Sequence, residues 1–174
     1  MDKTFVIKSH QEGDAYPFDL LLLADPEKKV LESYLYDSEL FLLSKSSLLL
    51  GVLVLKALGE SSYEIMNIAI KEEEQGKAWG KVLLNFAIEE AKNRKANALW
   101  IATGNSSIGQ LALYQKMGFE MAEIRWDHFI QHYPNPIWEN GIHCKHMLRL
   151  KMDLAEESVG RKFGRAQVLP LRSG

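Results

Sequence analysis

Residues Tyr63–Ile70, YEIMNIAI, are apolar on both alternating faces. A strand of this kind must be covered on both sides, so it belongs in the middle of a sheet. The residues that follow narrow the choice further. An acidic run, Glu72-Glu73-Glu74, leads through Gln75-Gly76-Lys77-Ala78-Trp79-Gly80-Lys81 into a segment where Val82, Leu83, Phe86, Ala87 and Ala91 recur at helical spacing. Residues 63–94 are therefore expected to form a central strand, a glycine-bearing loop and a helix.

The rest of the chain supplies partners for that unit. TFVIK, residues 4–8, is short and β-branched and predicts a strand. Pro17 and Pro26 suit first helical positions and Asp25 suits an N-cap, which predicts helices over 17–24 and 26–36. ELFLLSKSSLLLGVLVLKAL predicts a hairpin turning at Lys45-Ser46-Ser47. Residues 96–103 predict a strand broken by Gly104-Asn105. A helix then follows, capped by Ser106 or Ser107, with Ile108, Leu111, Ala112 and Tyr114 as its apolar positions. Gly118 ends this helix and Phe119 packs back over it, as in a Schellman stop. Residues 120–126 predict a strand, 134–141 a loop and 142–153 a last strand. The expected order is βααβββαβαββ.

The chain has 174 residues, 47% of them hydrophobic and 25% charged, enough for the core of one domain over 1–154. The tail 155–174 lacks periodicity and carries Arg161, Lys162, Arg165 and Arg172 against Glu156 and Glu157. A formal net charge of −2 lacks the basic excess of a nucleic-acid binder. Cys144 is the one cysteine, so no internal disulfide forms, in keeping with a reducing compartment. The N-terminal residues have no apolar signal core, and no apolar run approaches the ~20 residues of a membrane span. A cytoplasmic location is expected.

A glycine-bearing loop at a helix start presents unpaired N–H groups and the positive end of the helix dipole, which together suit phosphate. A nucleotide P-loop needs G-x-x-x-x-G-K-[ST], and the spacing and the Ser/Thr are both missing here. The dinucleotide pattern G-x-G-x-x-G is also missing. Gln75-Gly76-Lys77-Ala78-Trp79-Gly80 does match the Gln/Arg-x-x-Gly-x-Gly/Ala loop of coenzyme A acetyltransferases, with Ala78 in place of the first glycine. Together with Asn105 and Leu113-Tyr114-Gln115-Lys116-Met117-Gly118-Phe119, the chain resembles the GCN5-related N-acetyltransferase (GNAT) superfamily.

That resemblance implies an α/β fold with a central mixed sheet of six to seven strands flanked by four helices. It also implies acetyl transfer from acetyl-CoA to a primary amine of a small molecule or peptide. The loop residues Gln75, Gly76, Lys77, Ala78, Trp79, Gly80 and Lys81 would hold the coenzyme. Asn105 would hydrogen-bond it and Lys116 would meet its phosphates. The bulged central strand around Ile68, Ala69 and Ile70 would pair with the pantetheine arm and stabilise the acyl oxygen. Tyr114 aligns with the general acid. An alkylamine, with a pKa near ~10.4, must lose a proton before attack. The resemblance implies Glu64, eleven residues before Gln75, or a water as the base. Burial at a sheet interior would raise the Glu64 pKa.

Residues 124–147 are rich in aromatic and acidic side chains. Trp126, Asp127, Tyr133 and Glu139 suit a cationic acceptor, and the same composition suits a homodimer interface. His128, His132, His143, Cys144 and His146 raise a zinc reading, but His143 and His146 fall on opposite faces of a predicted strand, so no metal is expected. A protein N-terminal or lysine acetyltransferase fits the same motifs, as does a coenzyme-A-binding sensor with little turnover.

Overall fold

The computed structural model describes residues 4–155. In chain order the elements are β1 (Phe5–Ser9), α1 (Phe18–Ala24), α2 (Lys28–Leu35), β2 (Glu39–Lys45), β3 (Leu48–Ala57) and β4 (Ser62–Ile70). A single 3-10 turn (Glu72–Glu74) leads to α3 (Trp79–Asn93), β5 (Ala98–Gly104), α4 (Ile108–Lys116), β6 (Glu120–Arg125) and α5 (His128–His132). The chain continues through β7 (Ile137–Glu139), β8 (Ile142–Cys144) and β9 (Met147–Asp153). Most of the tail, 156–174, lies outside the described residues.

Local chemistry accounts for several of these boundaries. Ser46 and Ser47 both adopt positive φ, 48° and 64°, the two-residue turn whose twist matches a hairpin. Gly118 ends α4 at φ 101°. Phe119 N–H donates to Tyr114 C=O and Gly118 N–H to Gln115 C=O, both at 3.0 Å, and Phe119 is buried. This is the expected Schellman stop.

Seven strands form one sheet in the order β1-β2-β3-β4-β5-β9-β6, in which only β4 and β5 run parallel. Helices α3 and α4 cover one face. Leu83, Leu84, Ala87 and Tyr114 pack there with Leu53, Leu55, Ile65, Leu99 and Ile101. Helices α1 and α2 cover the other face with Leu20, Leu21, Leu31 and Leu35 over Val52, Val54 and Ala69. Each fully buried Leu or Ile contributes about 1.5–3 kcal/mol.

Tertiary contacts override several expectations. Asp25 does not cap α2; Glu27 does, accepting from Lys29 N–H, while Asp25 ends α1 with its carboxylate turned inward. Ser107 stands at the start of α4 but its hydroxyl makes no cap bond. In α4 only Tyr114 is buried, and Ile108 is half exposed. The expected loop 134–141 contains β7, which pairs with β8 in a separate ribbon. The expected last strand is two strands, because Asn105 clamps the chain at 143–146. Its Oδ1 accepts from Lys145 and His146 N–H at 2.8 and 2.9 Å, and its Nδ2 donates to His143 C=O at 3.1 Å. A fifth short helix, α5, joins the four expected.

Two irregularities of β4 matter most. Its register with β3 shifts between Val54↔Asn67 and Leu55↔Ile65, so Met66 is a bulge. The bulge was expected at 68–70 and lies earlier. Pairing of β4 with β5 runs from Ser62↔Ala98 to Ile65↔Ile101 and stops there, whereas β3 stays paired with β4 to Ile70. Beyond the bulge a gap opens between the two parallel strands.

Close packing beside that gap is testable at Gly51. An added Cβ would lie 2.6 Å from Ile70 Cδ1 and 2.8 Å from Ala69 C=O. The carbonyl belongs to the backbone and cannot swing aside. Gly51→Ala is expected to cost about 2 kcal/mol, as core overpacking does, read as a lowered urea midpoint at unchanged m-value.

Candidate active site

Parallel strands place their carboxyl ends together, and in open sheets the crevice there is where ligands bind. Here β4 and β5 both end at the gap, and each leads into a helix, α3 and α4. Residues 66–70 have β3 on one side only. Alternate backbone groups of a strand point to opposite sides, so part of the amide edge of Ile68, Ala69 and Ile70 faces the gap without a strand partner.

The loop after β4 ends in a helix start with free donors. No side chain caps α3. Val82 N–H already bonds Ala78 C=O, which leaves Trp79, Gly80 and Lys81 N–H as the unpaired first-turn donors. An added Cβ at Gly76 or Gly80 would meet nothing within 4 Å. Open space, free N–H groups and the dipole of a 15-residue helix fit a diphosphate. Lys81 is exposed and makes no ion pair among the described residues.

Other loop side chains are occupied differently from expectation. Lys77 pairs with Glu74 at 3.0 Å, which holds the Glu74 carboxyl below its usual range. Trp79 Nε1 donates to the same carboxylate at 3.2 Å, and its ring meets Phe5 edge-on. Gln75 Nε2 donates to Ile70 C=O at 3.1 Å. Gln75, Lys77 and Trp79 thus brace the loop with their side chains, and what they offer an anion is mainly backbone. The acidic run is part of that brace.

Ala78 adopts φ 67°, ψ 9°, the left-handed conformation. For an L-residue this costs roughly 1–2 kcal/mol, offset in part by the lower chain entropy of alanine relative to glycine. Ala78→Gly is therefore expected to stabilise the fold by roughly 0.5–1 kcal/mol, a rise of about 1–4 °C in Tm by calorimetry.

Tyr114 lies at 5% exposure, and burial alone pushes its phenol up to about 12. No group among the described residues hydrogen-bonds its hydroxyl. Asn105, expected on the coenzyme, spends its acceptor twice and one amide hydrogen on residues 143–146, so its main work is positional. Lys116 is exposed on the last turn of α4.

Glu64 is buried on β4, but it is not a free carboxylate. Arg149 of β9 holds it through two contacts, Nε–Oε1 at 3.3 Å and Nη2–Oε2 at 3.1 Å. The same guanidinium reaches Glu123 at 2.5 Å and lies 4.5 Å over the Trp100 ring. The carboxylate is thus committed to a guanidinium inside the sheet.

The acceptor candidates separate. Trp126 is exposed and edge-on to His146. Asp127 starts α5 at φ 55°, and its N–H donates to His146 Nδ1 at 2.9 Å. Glu139 accepts from Ser107 Oγ at 2.7 Å, which ties β7 to the start of α4. Among the histidines, His128 stacks on His132 and His143 on Trp138. Among the described residues no three His, Cys, Asp or Glu gather as a metal would need.

Tyr133 leads to a group that sequence reasoning missed. Its hydroxyl donates to Asp25 Oδ1 at 2.9 Å. Tyr34 O–H donates to Asp25 Oδ2 at 3.2 Å and accepts from Asn67 Nδ2 at 3.2 Å. Asn67 Nδ2 also donates to Leu21 C=O at 2.9 Å. Burial raises the Asp25 carboxyl above its ordinary value against the hydrogen bonds of Tyr133, Glu27 and Tyr34. Asn67 Oδ1 is buried and has no partner. Asp25 and Tyr133 are 108 residues apart, and no local pattern links them. The one usable signal was an asparagine inside an otherwise apolar strand.

Residues 8–119 match the model of the Acetyltransferase (GNAT) family. The chain is 48% identical over 148 residues to YvbK, an uncharacterised N-acetyltransferase of Bacillus subtilis (strain 168); the match spans 85% of this chain and 96% of that protein. A crystal structure of a GNAT family acetyltransferase from Elizabethkingia anophelis with acetyl-CoA bound is similar at a TM-score of 0.85 and 44% identity, over 88% of this chain and 100% of that one. A Bacillus subtilis acetyltransferase in complex with CoA is similar at 0.81 and 45% identity, over 87% and 99%.

Proposed function

The chain belongs to the GNAT family of acetyltransferases, and we propose that it acetylates a primary amine of a small molecule or peptide by direct attack. The observation that carries this reading is the uncapped start of α3 at the end of the gap between β4 and β5. Relatives crystallised with acetyl-CoA or CoA support the coenzyme.

Acetyl-CoA supplies the acyl group as a thioester. Trp79, Gly80 and Lys81 N–H bind its diphosphate, with Lys81 adding charge. Free amides of β4 between Met66 and Ile70 orient the acyl arm and stabilise negative charge developing on the acyl oxygen. Tyr114 holds a proton at its hydroxyl for the departing sulfur. Its phenol, raised by burial, stays protonated through the neutral range. The amine must arrive uncharged. With Glu64 held by Arg149, its proton leaves through water or through another carboxylate.

A thiol-release assay with acetyl-CoA and a panel of primary amines, alongside calorimetry with coenzyme A, tests this. Binding accompanied by turnover on at least one amine is expected. Binding without turnover on any would favour a coenzyme sensor.

A further inference from the structure

The two reactants have to meet at the gap, and the fold gives them different faces. Helices α3 and α4, with the phosphate-binding loop, occupy one face of the sheet. On the other face, next to the bulge, β4 presents Asn67 towards α1 and α2. Asn67 is the first residue past Met66, where pairing with β5 has already ended.

The direction of every hydrogen bond in this group is fixed. Asn67 Nδ2 lies 2.9 Å from Leu21 C=O, which can only accept, so the nitrogen and not the oxygen must stand there. Its second hydrogen goes to Tyr34, whose own hydrogen goes to Asp25. Asn67 Oδ1 is thereby left aimed at nothing, at 3% exposure of the residue. An unpaired buried acceptor costs about 1–3 kcal/mol. Asp25 also keeps unused capacity. An ionised carboxylate offers about four acceptor positions. Tyr133, Tyr34 and the Glu27 backbone use three. The group therefore lacks a donor-rich, positively charged partner, and an alkylammonium, with three N–H donors and a positive charge, is such a partner.

We propose that Asp25, Asn67, Tyr34 and Tyr133 form the acceptor subsite, taking a primary alkylammonium on Asn67 Oδ1 and the Asp25 carboxylate, with Asp25 as its proton acceptor. This rests on the acetyltransferase reading above. The ammonium nitrogen gives one proton to Asp25, directly or through a water, and Asp25 later releases it to solvent. The freed nitrogen lone pair forms the bond to the acyl carbon as the carbon–sulfur bond breaks. Nitrogen loses its second proton as the amide forms; that proton passes through water to the Tyr114 phenolate, replacing the one Tyr114 gave to sulfur. Burial raises the Asp25 carboxyl and suits it to accept a proton. The titratable groups facing it are Tyr34 from α2, Glu27 from the α1–α2 link and Tyr133 after α5, with Cys144 of β8 near Tyr133.

The test measures kcat/KM against pH for the full chain. The probes are n-butylamine, spermidine, tyramine, lysine and an alanine-terminated peptide, with aniline as an amine uncharged at neutral pH. Asp25→Asn is expected to lose at least about tenfold in kcat/KM on the alkylamines, to lose far less on aniline, and to keep the wild-type affinity for coenzyme A. Tyr133→Phe, a smaller change, removes one donor from the carboxylate. It should move the acid limb of the profile to higher pH, because the charged form is less well held. If both variants act on alkylamines with the wild-type rate and acid limb, the subsite is overturned and the acetyltransferase reading stands. The same holds if Asn67 Oδ1 proves to hold a buried water only while kinetics stay unmoved. If the wild-type chain acetylates none of the amines, both fall. Should Asp25→Asn fail to fold, the Tyr133→Phe acid limb decides alone.

Discussion

Gly80→Asp should weaken coenzyme A binding at least about 100-fold, some 2.7 kcal/mol, while the folded protein stays as stable or gains. The two quantities part because they depend on different features of one residue. A Cβ at position 80 meets no protein atom within 4 Å, so the fold accepts a side chain there. A carboxylate in the first turn of a helix interacts favourably with the dipole, by about 0.3–1 kcal/mol. Aspartate also replaces glycine at a helical position, where glycine is the less favoured of the two by roughly 0.3 kcal/mol. The open volume and the free N–H groups are what the diphosphate needs, and the new carboxylate takes both while repelling its charge. Calorimetric titration at fixed ionic strength, paired with a thermal melt, reads the two effects separately. Gly80→Ala is the control for space without charge. Wild-type affinity in Gly80→Asp would show that the start of α3 is not the diphosphate site.

Tyr114→Phe should lower kcat about 100-fold, within the range typical of a lost acid–base group, and leave coenzyme A affinity near wild type. Stability should hold. The hydroxyl has no hydrogen-bond partner among the described residues, so phenylalanine breaks no bond of the fold. The ring itself packs with Phe119 and Ile101 in the core and is retained. Because burial pushes the phenol up to about 12, loss of its proton should not appear in the kcat–pH profile below that value. Stopped-flow thiol release measures the rate, and a melt checks the fold. Equal turnover in the variant would remove Tyr114 from the reaction.

The chain's local chemistry was legible without its fold. Ser46-Ser47 turned the hairpin, and Gly118 with Phe119 closed α4. Residues 72–81 marked a turn entering a helix, and the left-handed Ala78 stands where the motif has glycine. Each depends on residues within a few positions of one another. Asp25 shows where such reading fails. An aspartate beside a proline at a helix boundary reads as a cap, yet its carboxylate is drawn inward by Tyr133, 108 residues away. Glu64 has a partner that local reading also could not see. Its offset from Gln75 pointed to a base, and Arg149, 85 residues later, holds the carboxylate in an ion pair.

The order of strands and helices from β1 to β6, the glycine-bearing turn into α3 and the helical place of Tyr114 were thus written in the sequence, because backbone propensity, turn geometry and the period of apolar residues act over one or two turns of chain. The parting of β4 from β5, the bulge at Met66, the pairing of Glu64 with Arg149 and the meeting of Asp25, Tyr34, Asn67 and Tyr133 were decided only by the tertiary structure. They depend on which side chains reach one another once the sheet is assembled and water is excluded, and the energy of a buried charge or an unpaired acceptor takes its value only in that assembled interior.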